Sequence, residues 1–304
     1  MLIASAKLLE HVLDRPWPGW GGSVFGTRVT LMSGAIISMW VVGIALVAII
    51  VPMARRRSYI PSGGQNFLEA LVVFVRDVIA RPALHEKAEA YLPFLTTVFV
   101  FVFALNLIGL VPLESISLML GVNETYKVGG TPTVVPAVGA ALASLAMLAI
   151  LTNGLRVAAD RYHRRYGWPM ATCWAASPVL WFLSLSPPVP GLVGKAILIP
   201  MAVLELVSAV AKCVALLVRL CANMLAGHML LAVVLDLGLK AIRPMLALSP
   251  SDPSFHAHGI YVLPICIIGS VGLNLMELLV CGIQAFIFTI MTALFLGMYA
   301  EASH

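Results

Sequence analysis

The chain has 304 residues, of which 61% are hydrophobic and only 11% charged, with a formal net charge of +5 at neutral pH. A soluble globular domain carries about 25% charged residues, so the polar surface needed to coat a water-soluble body of this size is missing. Composition therefore excludes a soluble enzyme and predicts an all-α polytopic membrane protein. The excess of positive charge lies between apolar runs, as membrane orientation requires, and does not point to nucleic acid.

Residues 1–31 open with an apolar patch too short for a signal sequence, followed by acids, a histidine and prolines. They read as an exposed N-terminal arm. About 20 apolar residues cross a bilayer as a helix, and the first such run is residues 32–54, closed by Arg55, Arg56 and Arg57. That triple arginine belongs in the cytoplasm, which places the N-terminus outside.

Residues 58–89 are mixed. In "QNFLEALVVFVRDVIA", Phe67, Leu71, Phe74, Val75 and Val78 share one face, while Gln65, Glu69, Arg76 and Asp77 fall largely elsewhere. The pattern predicts an amphipathic helix lying at the membrane interface. A second span is expected over 91–112 and a third over 134–153, separated by the polar loop "NETYKVGGTPT". "RVAADRYHRRYGW" then reads as a basic cytoplasmic loop, and the apolar segment to residue 192 is broken by Pro169, Pro178, Pro187, Pro188 and Pro190.

Two long apolar stretches, 193–238 and 260–300, complete the chain. Each exceeds one perpendicular crossing, which implies tilt or bending. The turn between them, "RPMLALSPSDPSFHAHG", makes them an antiparallel hairpin. Five crossings leave the C-terminus in the cytoplasm. The cysteines, Cys173, Cys213, Cys221, Cys266 and Cys281, sit singly in apolar surroundings. Their spacing suggests no metal site or disulfide framework, and no cofactor motif is seen.

The informative residues are the polar ones inside these stretches. An ionisable group within a span costs about 2.5–3.5 kcal/mol on insertion scales and by default marks a pathway or a site. Glu205, Lys212 and Arg219 are spaced seven apart and share a narrow stripe of one helix. Asn223 follows Arg219 by one turn, and His228 lies about 13 Å further along the axis. The last helix carries Asn274, Glu277 and Gln284. In an antiparallel hairpin with Arg219 opposite Gln284, His228 falls near the level of Glu277. Two polar levels result, one Arg/Gln and one His/Glu. Lys212 is also explained by snorkelling to an interface, and Asn223 by a helix–helix hydrogen bond. The guanidinium of Arg219 has no evident partner in its own helix and cannot lose its proton.

"LVRLCANMLAGHMLL" strongly resembles the motif of subunit a of F-type ATP synthases. "PMAVLELVS" is similar to that family's segment with a glutamate fourteen residues before the arginine, and "IQAFIFTIMTALFLGMYAEASH" to its final helix and tail. "IPSGGQNFLEALVVFVRDVIA" and "ALNLIGLVPLE" resemble its amphipathic segment and second span. The likeness covers roughly residues 58–114 and 187–304. "TPTVVPAVGAALA" departs from it, lacking the acid and asparagine often found at the outer end of the third span.

The resemblance implies a non-catalytic, proton-conducting subunit in an energy-transducing membrane, most simply the bacterial inner membrane. Its partners would be a ring of small c subunits, peripheral-stalk b subunits and the rest of the synthase. Arg219 would be the gate between two offset half-channels. His228 and Glu277 would line the outer one, Glu205 would mark the inner mouth, and Asn223 and Gln284 would orient the arginine or a water. Lys212 and Glu114 are further candidates. A stand-alone secondary transporter holding an anionic solute on Arg219 is the second reading; it predicts internal repeats, which the sequence does not display.

Overall fold

The fold was read from a computed structural model, which describes residues 21–24, 27–30, 33–55, 63–111, 132, 135–167, 192–246 and 253–301. Two short strands, β1 (Gly21–Val24) and β2 (Thr27–Thr30), pair antiparallel with Gly21 opposite Thr30 and Val24 opposite Thr27. They lie within the arm, where the sequence predicted no regular structure. Everything else described is helical, and among the described residues five helices are long and apolar enough to cross a membrane. The architecture is the all-α membrane fold that composition demands.

Helix α1 (Gly34–Arg55) begins where the Ser33 hydroxyl accepts a hydrogen bond from the Ile36 amide at 3.4 Å, capping an otherwise unpaired N–H. It buries Ala35, Ser38 and Val42 and leaves Trp40, Ile44 and Val47 exposed, a distribution suited to a lipid-facing helix.

The amphipathic segment forms α2 (Gly64–Phe74), a π-helical stretch (Val75–Ala80), and the short α3 (Arg81–Leu84). The backbone N–H of Arg81 reaches the carbonyl of Arg76, five residues back. This wider turn rotates the side chains that follow, which corrects the predicted apolar face. Val75 and Ile79 are fully buried, whereas Phe67, Phe74 and Val78 are exposed. Asp77 gathers the polar side, pairing with Arg76 at 3.0 Å and with Arg81 at 2.8 Å. At His85 the backbone takes a positive φ of 48°, and a single 3-10 turn (His85–Lys87) leads into α4 (Ala88–Gly109).

Helix α5 (Pro136–Tyr166) runs 31 residues, well beyond the expected third span. The basic stretch read as a loop is therefore helical as far as Tyr166, and no glycine or proline interrupts it between Gly154 and that point. It ends at Gly167, whose φ of +66° and N–H bond to the His163 carbonyl at 2.9 Å form a glycine C-cap. Helices α6 (Leu192–Leu246) and α7 (Pro253–Glu301) also extend past their predicted ends, into the turn between them. Glu114 and residues 168–191 lie outside the described residues.

The chain divides into two compact units. One comprises residues 1–46, 103–138 and 219–284; the other comprises 47–102, 139–218 and 285–304. In the second, the Tyr91 hydroxyl of α4 donates to Asn153 Oδ1 of α5 at 2.6 Å. The ring of Phe74 packs near those of Phe99 and Phe286, at 5.8 and 6.2 Å. Gly297 of α7 lies so close to the Ala83 carbonyl that a Cβ would collide with it. In the first unit, the α6–α7 hairpin packs with the end of α4, and there the predicted site residues meet.

Candidate functional site: the polar faces of the α6–α7 hairpin

Small residues let the two long helices approach closely, as membrane helix pairs require, and their contacts fix the register. A Cβ at Gly227 would strike the Glu277 carboxylate. One at Gly238 would lie 3.4 Å from the Cys266 Cβ, and one at Gly269 would lie 3.9 Å from Val234. Each step up α6 is thus matched by a step down α7. Continued along the hairpin, this register puts Arg219 at the level of Gln284 and His228 at the level just beyond Glu277. The two polar levels inferred from residue spacing are both present.

The side-chain directions add what spacing alone does not give. At about 100° per residue, Arg219 lies about 80° around α6 from the Gly227 line that faces α7. His228 lies about 100° from it in the opposite sense. Arg219 and His228 therefore occupy opposite sides of one helix. Arg219 and Asn223 are exposed, while Glu277 and Gln284 are buried at 5% and 3% exposure. Among the described residues, no carboxylate pairs with the Arg219 guanidinium. Its charge faces outward from the chain.

Behind it the buried polar atoms lack partners. Neither carboxylate oxygen of Glu277 has a hydrogen-bond partner, and the Gln284 amide nitrogen has none. Asn106, on α4, was not singled out by the sequence reading. It is 1% exposed, with both amide atoms unpartnered. It lies within one turn of Phe103 and Leu110 on the same face of α4, and these two pack on the buried pair Met224 and Cys281 of the hairpin. Cys281 falls between Glu277 and Gln284 in α7, so Asn106 enters the hairpin between the two polar levels. The signal for it was a lone amide in "FALNLIGL".

Leaving a buried polar group dry costs about 1–3 kcal/mol, and several together in one unit define a place for water. The arrangement can hold a hydrogen-bonded water chain leading to a buried acid, with a fixed cation on the far side of the same helix. Glu205 and Lys212 stand in α6, on the stripe that leads to Arg219; their side chains lie outside the described residues.

Comparison with known proteins agrees with this arrangement. A family model described as ATP synthase A chain matches residues 36–297. The chain is 31% identical over 278 residues to the ATP synthase subunit a of an Anaeromyxobacter species, covering 91% of this chain and 56% of that one. It is 28% identical over 268 residues to the ATP synthase subunit a of Chloroherpeton thalassium, covering 86% and 65%. Against the ATP synthase subunit a 2 of Chlorobium luteolum it is 28% identical over 298 residues, covering 92% and 70%. The chain thus spans between just over half and two thirds of the length of several of these relatives. The reading as a stand-alone transporter of anionic solutes finds no support in any of these likenesses. The family match covers the hairpin, the polar levels and the outward-facing arginine, and the chain belongs to the ATP synthase A chain family.

Proposed function

We propose that this chain is the proton-conducting stator wall of a rotary ATP synthase, with no catalytic site of its own. A proton from the outer side reaches His228 and Glu277 through water held by the buried amides of Asn106 and Gln284. It passes to a carboxylate on a neighbouring ring of small c subunits. Arg219 stabilises that carboxylate in its ionised form, because an opposite charge within a few ångströms lowers a carboxylate pKa by about 1–3 units. The ring carboxylate loses its proton toward the inner side, where Glu205 marks the mouth of the second half-channel and Lys212 lies nearer the arginine. Asn223, one turn from Arg219, orients the guanidinium or a water beside it.

A single observation carries this reading. Arg219 is exposed and faces away from its own chain, while the acid and amides at the same depths are buried on the other side. A permanent cation in an apolar helix needs an anion or water, and a carboxylate on a second polypeptide supplies the anion. The fixed charge also repels a proton moving straight between the half-channels. Lysine is a poor replacement, since burial readily strips its proton.

The positive-inside count places the N-terminus outside and the C-terminus in the cytoplasm of an energy-transducing membrane, most simply the bacterial inner membrane. The partners are the c-ring, the peripheral-stalk b subunits and the remaining synthase subunits. The test is purification of a tagged chain followed by disulfide cross-linking from Asn223→Cys. The expected result is a complex containing a ring of small two-helix subunits, with cross-links to their acid-bearing helix. A stand-alone assembly with no small subunit would overturn the reading.

A further inference from the structure

Asn274 is the one polar side chain in the outer part of α7 that the pathway above leaves unused. It is exposed, whereas Glu277, less than one turn further on, is almost fully buried. Its neighbours Val271, Leu275 and Leu278 are exposed and apolar. An amide presented among such residues at membrane depth is costly in lipid, so its surroundings must be polar.

The direction of the side chain is fixed. The Asn274 amide nitrogen donates to the Ser270 carbonyl at 3.0 Å, leaving the amide oxygen Oδ1 as the acceptor that points outward. Around α7, Asn274 lies about 60° from the Glu277 line in the same sense in which His228 lies about 100° from the Gly227 line on α6. In antiparallel helices these equal senses lead to the same side of the hairpin. Asn274 and His228 therefore share one side, and Arg219 holds the other. The register puts Asn274 opposite residue 230, about 3 Å beyond the His228 level.

We propose that Asn274 is a positioning residue at the outer inlet of the proton path. Its Oδ1 accepts a hydrogen bond from the water that hands protons to His228 and Glu277. The amide carries no charge and takes up no proton itself; it fixes where that water stands. This rests on the pathway proposed above, and its ligand is water or hydronium.

The test uses the assembled complex in membrane vesicles. Asn274→Leu lowers passive proton flux through the membrane sector by about fivefold, the scale of one hydrogen bond inside a membrane. Asn274→Ser, which keeps an acceptor, restores most of it. As a second measurement, silver ion added from the outer side blocks flux in Asn274→Cys beyond its effect on the parent complex, which reports water at that position even if the leucine variant fails to assemble. Unchanged flux in an assembled Asn274→Leu complex, or silver insensitivity equal to the parent, overturns the proposal. An Arg219→Ala control in the same vesicles separates the two readings. If that control still pumps, the pathway itself is wrong; if it is uncoupled while Asn274 variants behave as the parent, only the inlet assignment fails.

Discussion

The Glu277 carboxylate lies directly against the backbone of Gly227, in space that a Cβ at that position would occupy. This contact joins the two longest helices at the level of the outer polar pair, next to His228. It places an acid in the hairpin interface while keeping it one residue from the imidazole. Gly227→Ala is therefore expected to displace the carboxylate and not the backbone, since the obstructing atoms are the far end of a flexible side chain. Outer proton uptake should fall by about tenfold, equivalent to roughly 1.4 kcal/mol of misplacement, with assembly retained. Vesicle proton-flux assays normalised to assembled complex check this; unchanged flux would show that the contact has no functional consequence.

Asn106 makes a contrasting prediction. Both of its amide atoms are buried without partners, so replacing it with leucine removes a desolvation cost of about 1–3 kcal/mol. The Asn106→Leu complex should be at least as stable as the parent to detergent and heat, yet conduct protons several-fold more slowly. Loss of stability would mean that the amide is held by structure and not by water.

Gly297 and Gly272 test packing in the same helix. A Cβ at Gly297 would meet the backbone carbonyl of Ala83, which cannot swing aside, whereas one at Gly272 would meet nothing within 4 Å. Gly297→Val should destabilise the chain by about 1–3 kcal/mol through overpacking. Gly272→Ala should be neutral, or stabilising by up to about 1 kcal/mol from helix propensity. Thermal assembly midpoints of the two variants compare these directly.

The Tyr91–Asn153 hydrogen bond joins α4 to α5 away from the hairpin. Tyr91→Phe should reduce stability by about 0.5–1.5 kcal/mol and leave the ratio of protons pumped to ATP hydrolysed unchanged. A shift in that ratio would assign the pair a part in conduction.

How much of this was legible in the sequence depended on the kind of signal. The levels of Arg219 with Gln284 and of His228 with Glu277 followed from residue spacing, because a long uninterrupted helix converts sequence distance into height with little error. Direction around the helix was harder to read. The opposite sides of Arg219 and His228 emerge only once Gly227 and Glu277 fix the line of contact. The apolar face of 65–80 was misassigned because a π-helical turn over Val75–Ala80 shifts the phase of everything after it, and no residue type announces such a turn. The helix through the basic stretch 156–166 was missed because charge was read as loop, although its stop signal, Gly167, was present. Asn106 escaped notice because a lone amide in an apolar run is ambiguous until its neighbours Phe103 and Leu110 are seen against the hairpin.

The most direct test of the central claim is the coupling of the assembled complex carrying Arg219→Ala, measured as ATP-driven acidification of inverted vesicles and as proton-driven ATP synthesis. A fixed cation facing a moving acid on another subunit predicts that both fall to background, a loss of at least about 100-fold, comparable to removing a preorganised electrostatic group from an active site, while the subunit composition stays intact. Coupled pumping at a substantial fraction of the parent rate in that variant would contradict the account.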